Sequence, residues 1–241
     1  MFDHVAVRVA DLRESRQFYE PALAMLGFGE PFDGGDYFEW DDLAIGAATD
    51  ERPVTRNLHV ALVAPSRDAV DEWWRRLVDA GYRDDGAPGP RPLYSDDYYG
   101  GFVRDPDGNS VEAVHHEDPR ADGCTIDHVW MRVRDVDASA RFYDTIAPAC
   151  GFEKHVGRWT HFHRGRVSFT LVAGDTPTEN VHLAFPARDN ATVAEFHRVA
   201  VEAGYHDNGP PGERPVYHPG YYGAFVLDPD GNNVEAVCHN R

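Results

Sequence analysis

Residues 2–9 alternate along the chain, with Val5, Val7 and Val9 on one side of an extended segment and His4, Ala6 and Arg8 on the other. Asp11 stands at a helix N-cap position with Glu14 three residues on, the spacing of a capping box. Leu12, Phe18, Tyr19, Ala22, Leu23 and Leu26 then recur at helical spacing until Gly27, and Pro21 inside that stripe predicts a kink or an early end. Residues 29–49 read as short strands broken at Asp33-Gly34-Gly35 and at Asp41-Asp42. A strand over 57–63 puts His59, Ala61 and Val63 on one face. Ser66 caps a second helix with the stripe Val70, Trp73, Trp74, Leu77 and Val78, stopped by Gly81. Two strands, about 98–104 and 110–115, flank Asp105-Pro106-Asp107-Gly108-Asn109, where Pro fixes φ and Gly accepts positive φ, so the pair reads as a hairpin.

The second half repeats this order. Asp3-His4-Val5 returns as Asp127-His128-Val129, and Asn57-Leu58-His59 as Asn180-Val181-His182. The stretch 98–114 returns almost letter for letter as 221–237, including Asp228-Pro229-Asp230-Gly231-Asn232. The offsets are 128 − 4 = 124, 182 − 59 = 123 and 235 − 112 = 123, so one residue is lost between the first and second landmarks. Each half reads as βαβββ-βαβββ, which makes an α+β chain of four βαβββ modules. At 241 residues it has room for two domains with their own cores, 1–118 and 124–241, divided near the polar stretch 117–123.

What recurs with the fold is a set of metal-ligand residue types. His4, His59 and Glu112 lie opposite the large apolar residues of their strands, and so do His128, His182 and Glu235. Repetition of a fold accounts for repeated apolar positions, but not for a repeated His, His and Glu. Two imidazoles and one carboxylate leave open positions on a divalent ion for substrate and water. If the halves stay separate, His4, His59 and Glu112 share one metal; if modules exchange, His4 joins His182 and Glu235, and His128 joins His59 and Glu112. Both arrangements rebuild the same triad.

Composition narrows the classes. A formal net charge of −18 argues against nucleic acid, which needs clustered Lys and Arg. No run of about 18 apolar residues exists and the first strand follows Met1 directly, so a soluble, cytoplasmic protein with no membrane partner is expected. Cys124, Cys150 and Cys238 lack CxxC spacing and read as buried thiols.

The order of His, His and Glu, the Phe-Tyr pairs Phe18-Tyr19 and Phe142-Tyr143, and the Asp-Pro-Asp-Gly-Asn hairpin before Val-Glu resemble the vicinal oxygen chelate superfamily. That superfamily includes glyoxalase I, bleomycin-resistance proteins, fosfomycin-resistance enzymes and extradiol dioxygenases. The resemblance covers both halves and implies two glyoxalase-like domains whose curled mixed sheets surround a U-shaped cavity. It also implies a divalent metal chelated by neighbouring substrate oxygens. Departures narrow the activity. The strands where glyoxalase I carries a fourth ligand, 43–49 and 167–173, hold no His, Glu, Asp or Gln. The Tyr and His of extradiol dioxygenases are replaced by Phe102 and Phe225 and by Ala44 and Val167.

The candidate site residues are therefore His4, His59, Glu112, His128, His182 and Glu235 as metal ligands, with Tyr98 and Tyr221 as phenols able to act on a developing oxyanion. Arg8, Arg132, Trp130, Tyr99 and Tyr222 are candidate substrate contacts, while His115, His116 and His239 read as surface residues and His161 and His163 as pocket wall. The expected cofactor is Fe(II) or Mn(II), with Zn(II), Ni(II) or Co(II) also compatible. The expected function is a metal-dependent dioxygenase, lyase/isomerase or transferase on a small oxygenated molecule, nearer the dioxygenase or fosfomycin type than glyoxalase I, in a monomer or homodimer. The alternative, motivated by 12% aromatic content, is a protein that sequesters a small molecule without chemistry.

Overall fold

The computed structural model describes residues 1–117 and 124–240, so most of the expected boundary stretch, 118–123, lies outside the described residues. The first half gives β1 (His4–Val9), α1 (Leu12–Met25), β2 (Phe32–Asp33), β3 (Tyr37–Trp40), β4 (Leu43–Ala47), β5 (His59–Val63), α2 (Arg67–Asp79), β6 (Asp84–Pro90), β7 (Tyr99–Arg104) and β8 (Ser110–His115). The second gives β9 (Ile126–Val133), α3 (Val136–Cys150), β10 (Glu153–Val156), β11 (Thr160–Arg164), β12 (Val167–Ala173), β13 (His182–Pro186), α4 (Asn190–Glu202), β14 (His206–Glu213), β15 (Tyr222–Leu227) and β16 (Asn233–Cys238). No helix among the described residues is long and apolar enough to cross a membrane.

The helices begin where the capping chemistry places them. Asp11, Ser66, Asp135 and Asp189 each accept a hydrogen bond from the backbone N–H of the first helical turn. The α1 helix runs four residues past Pro21, and α3 carries Pro148 in the same way, so neither proline ends its helix. In α2, Val70, Trp73 and Leu77 are buried, whereas Trp74 turns outward and donates its indole N–H to Asp84. Cys150 and Cys238 are buried, but Cys124 is half-buried.

The chain packs as two units, 7–130 and 1–6 with 131–241. The strand orders of the two eight-stranded sheets are β14-β15-β16-β13-β1-β4-β3-β2 and β10-β11-β12-β9-β5-β8-β7-β6. The first residues of β1 and β9 thus pack with the opposite half of the sequence. Within 7–130, β5 pairs parallel with β8 and antiparallel with β9, which sets Glu112 and His128 in one lateral row on either side of Ala61. Within the other unit, β13 pairs parallel with β16 and antiparallel with β1, and Ala184 stands between Glu235 and His4.

Two edge strands, β6 and β14, had no signature in the pattern of apolar residues. Their sequences, Asp-Asp-Gly-Ala-Pro-Gly-Pro and His-Asp-Asn-Gly-Pro-Pro-Gly-Glu, are those of loops, yet both pair with the neighbouring strand through register shifts at glycine. Edge strands tolerate proline because only one of their sides is hydrogen-bonded within the sheet.

The recurring hairpin is a buried clamp. Asn109 donates to the Thr55 carbonyl and to Asp105 Oδ2, and accepts from the Leu58 N–H (3.1 Å each). The Tyr19 hydroxyl of α1 donates to Asp105 Oδ2 (2.9 Å). Asn57 adopts positive φ (58°), a conformation Asn tolerates better than most residues, and delivers Leu58 to the clamp and His59 to the strand. Asn232, Asp228, Tyr143, Thr178, Val181 and Asn180 repeat the arrangement. The hairpin, the Asn57-Leu58-His59 segment and Tyr19 thereby act together to fix the start of one ligand strand beside the other.

Candidate metal centres

Two groups of His and Glu have ligand atoms all within 4.8 Å of one another: His59, Glu112 and His128, and His4, His182 and Glu235. The exchanged pairing is the one adopted, so His4 does not meet His59 or Glu112. Adjacent strands lie about 4.8 Å apart, which leaves two strand spacings between the backbones of Glu112 and His128. The small Ala61 side chain between them lets the longer two converge over it, and Ala184 does the same for Glu235 and His4. His59 Nε2 lies 3.1 Å and His128 Nε2 3.6 Å from Glu112 Oε2. His182 Nε2 lies 3.0 Å and His4 Nε2 3.9 Å from Glu235 Oε2.

Both carboxylates are buried, Glu112 at 0% and Glu235 at 1% relative exposure. Each has one oxygen held by a phenol: Tyr98 donates to Glu112 Oε1 and Tyr221 to Glu235 Oε1, both at 2.7 Å. Burial, reinforced by the adjacent carboxylate charge, pushes both phenols well above the ordinary tyrosine value, so they stay protonated. Gly100 and Gly223 make room for these pairs, since a Cβ at either would stand 2.1 Å from Glu112 Oε1 or 2.5 Å from Glu235 Oε1. Gly100→Ala is therefore expected to displace Glu112 and weaken metal binding in that unit alone; unchanged metal stoichiometry and affinity in the purified variant would show that the carboxylate can yield without loss.

Behind the ligands stand two carboxylates, Asp127 and Asp3, and two further histidines. His128 Nδ1–H donates to Asp127 Oδ1 (2.7 Å), and His4 Nδ1–H to Asp3 Oδ1 (2.9 Å). His116, expected at the surface, approaches Asp127 with Nε2 3.5 Å from Oδ2 and sets its ring edge-on to Tyr98. His239, likewise expected at the surface, donates to Asp3 Oδ2 (2.7 Å). Burial would push the Asp3 carboxyl up, but the hydrogen bonds and charges of His4 and His239 hold it below the usual carboxylate value. His115 is half-buried, with Nδ1 3.1 Å from the Ala64 carbonyl oxygen. The recurrence of Asp before His in Asp3-His4 and Asp127-His128 was the available signal for these carboxylates.

The other expected contacts divide. Trp130 packs edge-on to His59 and to Tyr94, beside the ligands. Tyr99 is directed away from them: it lies on the opposite face of β7 from Tyr98, Gly100 and Phe102, and its hydroxyl donates to Asp71 of α2 (2.7 Å). Tyr222 is displaced for the same reason, since Phe225 pairs with Glu235 and alternation puts residue 222 on the reverse side. The Arg8 guanidinium lies over Gly46 of β4, and the Arg132 side chain over Gly174. His161 and His163, with His155, Arg166 and Ser168, line a depression of about 320 Å³ on β10–β12.

The donor set fits a divalent cation. With Nδ1–H of His128 committed to Asp127, its Nε2 presents a lone pair toward a carboxylate oxygen. Acceptors turned toward one another in a buried place are stabilised by a cation between them. Two imidazole nitrogens and a carboxylate oxygen suit a divalent ion, and the Asp-held imidazole is the usual support for such a ligand.

The architecture has known counterparts. Glyoxalase I from Zea mays superposes with a TM-score of 0.70 at 19% identity, covering 99% of this chain and 92% of that one. A glyoxalase I variant from the same plant gives 0.71 at 20% identity, with 99% and 92% covered. A proposed dioxygenase from Bacillus subtilis gives 0.68 at 16% identity, with 100% and 85% covered. At these identities the likeness is one of fold. No curated protein matches the chain. The family model of the Glyoxalase/Bleomycin resistance protein/Dioxygenase superfamily, however, matches residues 1–113 and again 125–236. With that model accounting for both repeats and for the strands that carry every candidate ligand, the chain belongs to the Glyoxalase/Bleomycin resistance protein/Dioxygenase superfamily.

Proposed function

We propose that the chain is a divalent-metal-dependent enzyme acting on a small oxygenated molecule, with one metal ion held by His59, Glu112 and His128 and another by His4, His182 and Glu235. The observation that carries this reading is the convergence, twice, of two imidazoles on one buried carboxylate. A bound divalent ion supplies Lewis-acid polarisation to two neighbouring substrate oxygens. Tyr98 and Tyr221 hold the carboxylates in place. Their protons are committed to Glu112 and Glu235, so we assign them a positioning role in place of acid catalysis. Asp127 and Asp3 keep Nε2 of His128 and His4 free of protons and aimed at the metal. Trp130 provides an apolar wall that favours a planar or apolar substrate body in the 7–130 unit, where Ala6 stands at the equivalent strand position of the other.

Each group has three members among the described residues, which supports an open three-ligand centre of the dioxygenase or fosfomycin type over glyoxalase I, with Fe(II) or Mn(II) as the favoured ion. The test is the metal content of protein purified with and without oxygen, by mass spectrometry, followed by reconstitution of chelator-treated protein. Two equivalents per chain are expected. No metal in either preparation and no binding on reconstitution would overturn the proposal in favour of a binding protein that needs no ion.

A further inference from the structure

We infer that the two ligand sets are inequivalent: Ser110 and Asp85 position His59 as a strong metal ligand, whereas Asn233 and Asn208 let His182 close on Glu235 by itself. The inference rests on the metal-binding reading above and concerns the residues behind one ligand in each set.

In the 7–130 unit, His59 Nδ1 lies 3.1 Å from Ser110 Oγ. The Ser110 hydroxyl donates to Asp85 Oδ2 (2.7 Å), and Asp85 Oδ1 is paired with Arg104 Nη2 (2.6 Å). With its single proton drawn to a carboxylate, Ser110 Oγ can only accept from His59. The imidazole proton therefore sits on Nδ1, and Nε2 presents its lone pair toward Glu112 Oε2, 3.1 Å away. Nε2 is thus the ring nitrogen left to face the carboxylate, where a cation would sit between them. The carboxylate at the end of the relay also makes the imidazole a stronger donor.

The counterpart is neutral throughout. Asn208 donates through Nδ2 to Asn233 Oδ1 (2.9 Å), which turns the Asn233 NH2 toward His182 Nδ1. Nδ1 then accepts, the ring proton moves to Nε2, and Nε2–H donates to Glu235 Oε2 (3.0 Å). His182, Asn233 and Asn208 are thus hydrogen-bonded to one another and to Glu235 without an ion. Metal binding there requires both amides to rotate so that Nδ1–H finds an oxygen, and no charge supports the ring once it has turned.

The contrast is written into the repeat. Segments 98–114 and 221–237 differ only at Gly101/Ala224, Arg104/Leu227 and Ser110/Asn233, and two of those three pairs belong to this relay. Asp85 and Asn208 occupy the same place, since 208 − 85 = 123. A carboxylate, its hydroxyl intermediary and its guanidinium are present together in one unit and absent together in the other.

The experiment titrates chelator-treated protein with Mn(II) by calorimetry, using Glu235→Gln and Glu112→Gln to isolate each set. The 59/112/128 set should bind roughly 10- to 100-fold more tightly than the 4/182/235 set, the range over which residues behind a ligand tune affinity. Asp85→Asn with Ser110→Asn should erase that advantage. Asn208→Asp with Asn233→Ser should raise affinity in the other unit, a gain that misfolding cannot mimic. Equal affinities in the two sets, or exchanges that leave them unchanged, would overturn the inference while leaving the metal reading intact. No Mn(II) binding by either set would overturn both.

Discussion

Replacing Glu112 by Gln should remove one metal equivalent per chain and leave the other, Glu235→Gln should remove the second, and the double variant should bind none. The carboxylate is the sole anionic member of each set and the atom on which both imidazoles converge. Without it, two neutral nitrogens face a divalent ion in a buried place, where an uncompensated charge is costly. The loss of affinity should be at least about 100-fold, the upper end of what residues behind a ligand contribute. Stability should move in opposite directions with and without metal. Saturating metal at about 1,000 times its dissociation constant stabilises the folded state by about 4 kcal/mol, which for a chain of this size corresponds to a rise in Tm of about 10 °C. Chelator should reverse that rise in the wild type and have no effect on the double variant. In metal-free protein, Glu112→Gln should be neutral or stabilising, because the amide still accepts from Tyr98 and can donate to the His59 Nε2 lone pair. Mass spectrometry with calorimetric melting checks both arms. A Glu112→Gln protein that retains two tight equivalents would sink the assignment of that residue.

Removing the clamp should have the largest effect on folding. Asn109→Ala deletes two donated hydrogen bonds, to the Thr55 carbonyl and Asp105, and one accepted bond, and strands the Leu58 N–H in a fully buried place. The stranded donor costs about 1–3 kcal/mol and each of the two other lost bonds about 0.5–1.5 kcal/mol, so a loss of about 2–6 kcal/mol is expected, a large share of the roughly 5–15 kcal/mol that keeps a domain folded. The Asp105 carboxylate, whose side chain burial pushes above its usual pKa, also loses one of the hydrogen bonds that favour its ionised form. Asn109→Asp should be no better, because it sets a second carboxylate against Asp105 and cannot donate to Thr55. Asn232→Ala should act in the same way on the 1–6 and 131–241 unit. Urea denaturation followed by tryptophan fluorescence measures the change, and a shift worth less than about 1 kcal/mol for Asn109→Ala would contradict the clamp. Because Asn109 holds Leu58, the residue before His59, metal affinity at the 59/112/128 set should fall with it.

The pattern of apolar and polar positions carried the local structure far. Alternation fixed the faces of β1, β5 and β8; Asp11 and Ser66 marked helix starts; and Asp105-Pro106-Asp107-Gly108-Asn109 marked the hairpin. It failed where local chemistry is ambiguous. The Gly- and Pro-rich β6 and β14 look like loops, and become strands only because β7 and β15 offer a free edge. Tyr98 and Tyr99 are indistinguishable as adjacent aromatics until strand pairing decides which of them faces Glu112 and which faces α2. Ala61 and Gly100 are unremarkable letters whose smallness matters only once two ligands must meet above one of them and a carboxylate beside the other.

By itself the sequence determined the four modules, the duplication, and the His, His and Glu on the faces of their strands, because a period of two reports which side of a strand each residue occupies. Only the tertiary structure decided that His4 stands with His182 and Glu235, and His128 with His59 and Glu112. The alternative pairing offers the same residue types at the same strand positions, so the choice rests on long-range strand neighbours that no local period encodes.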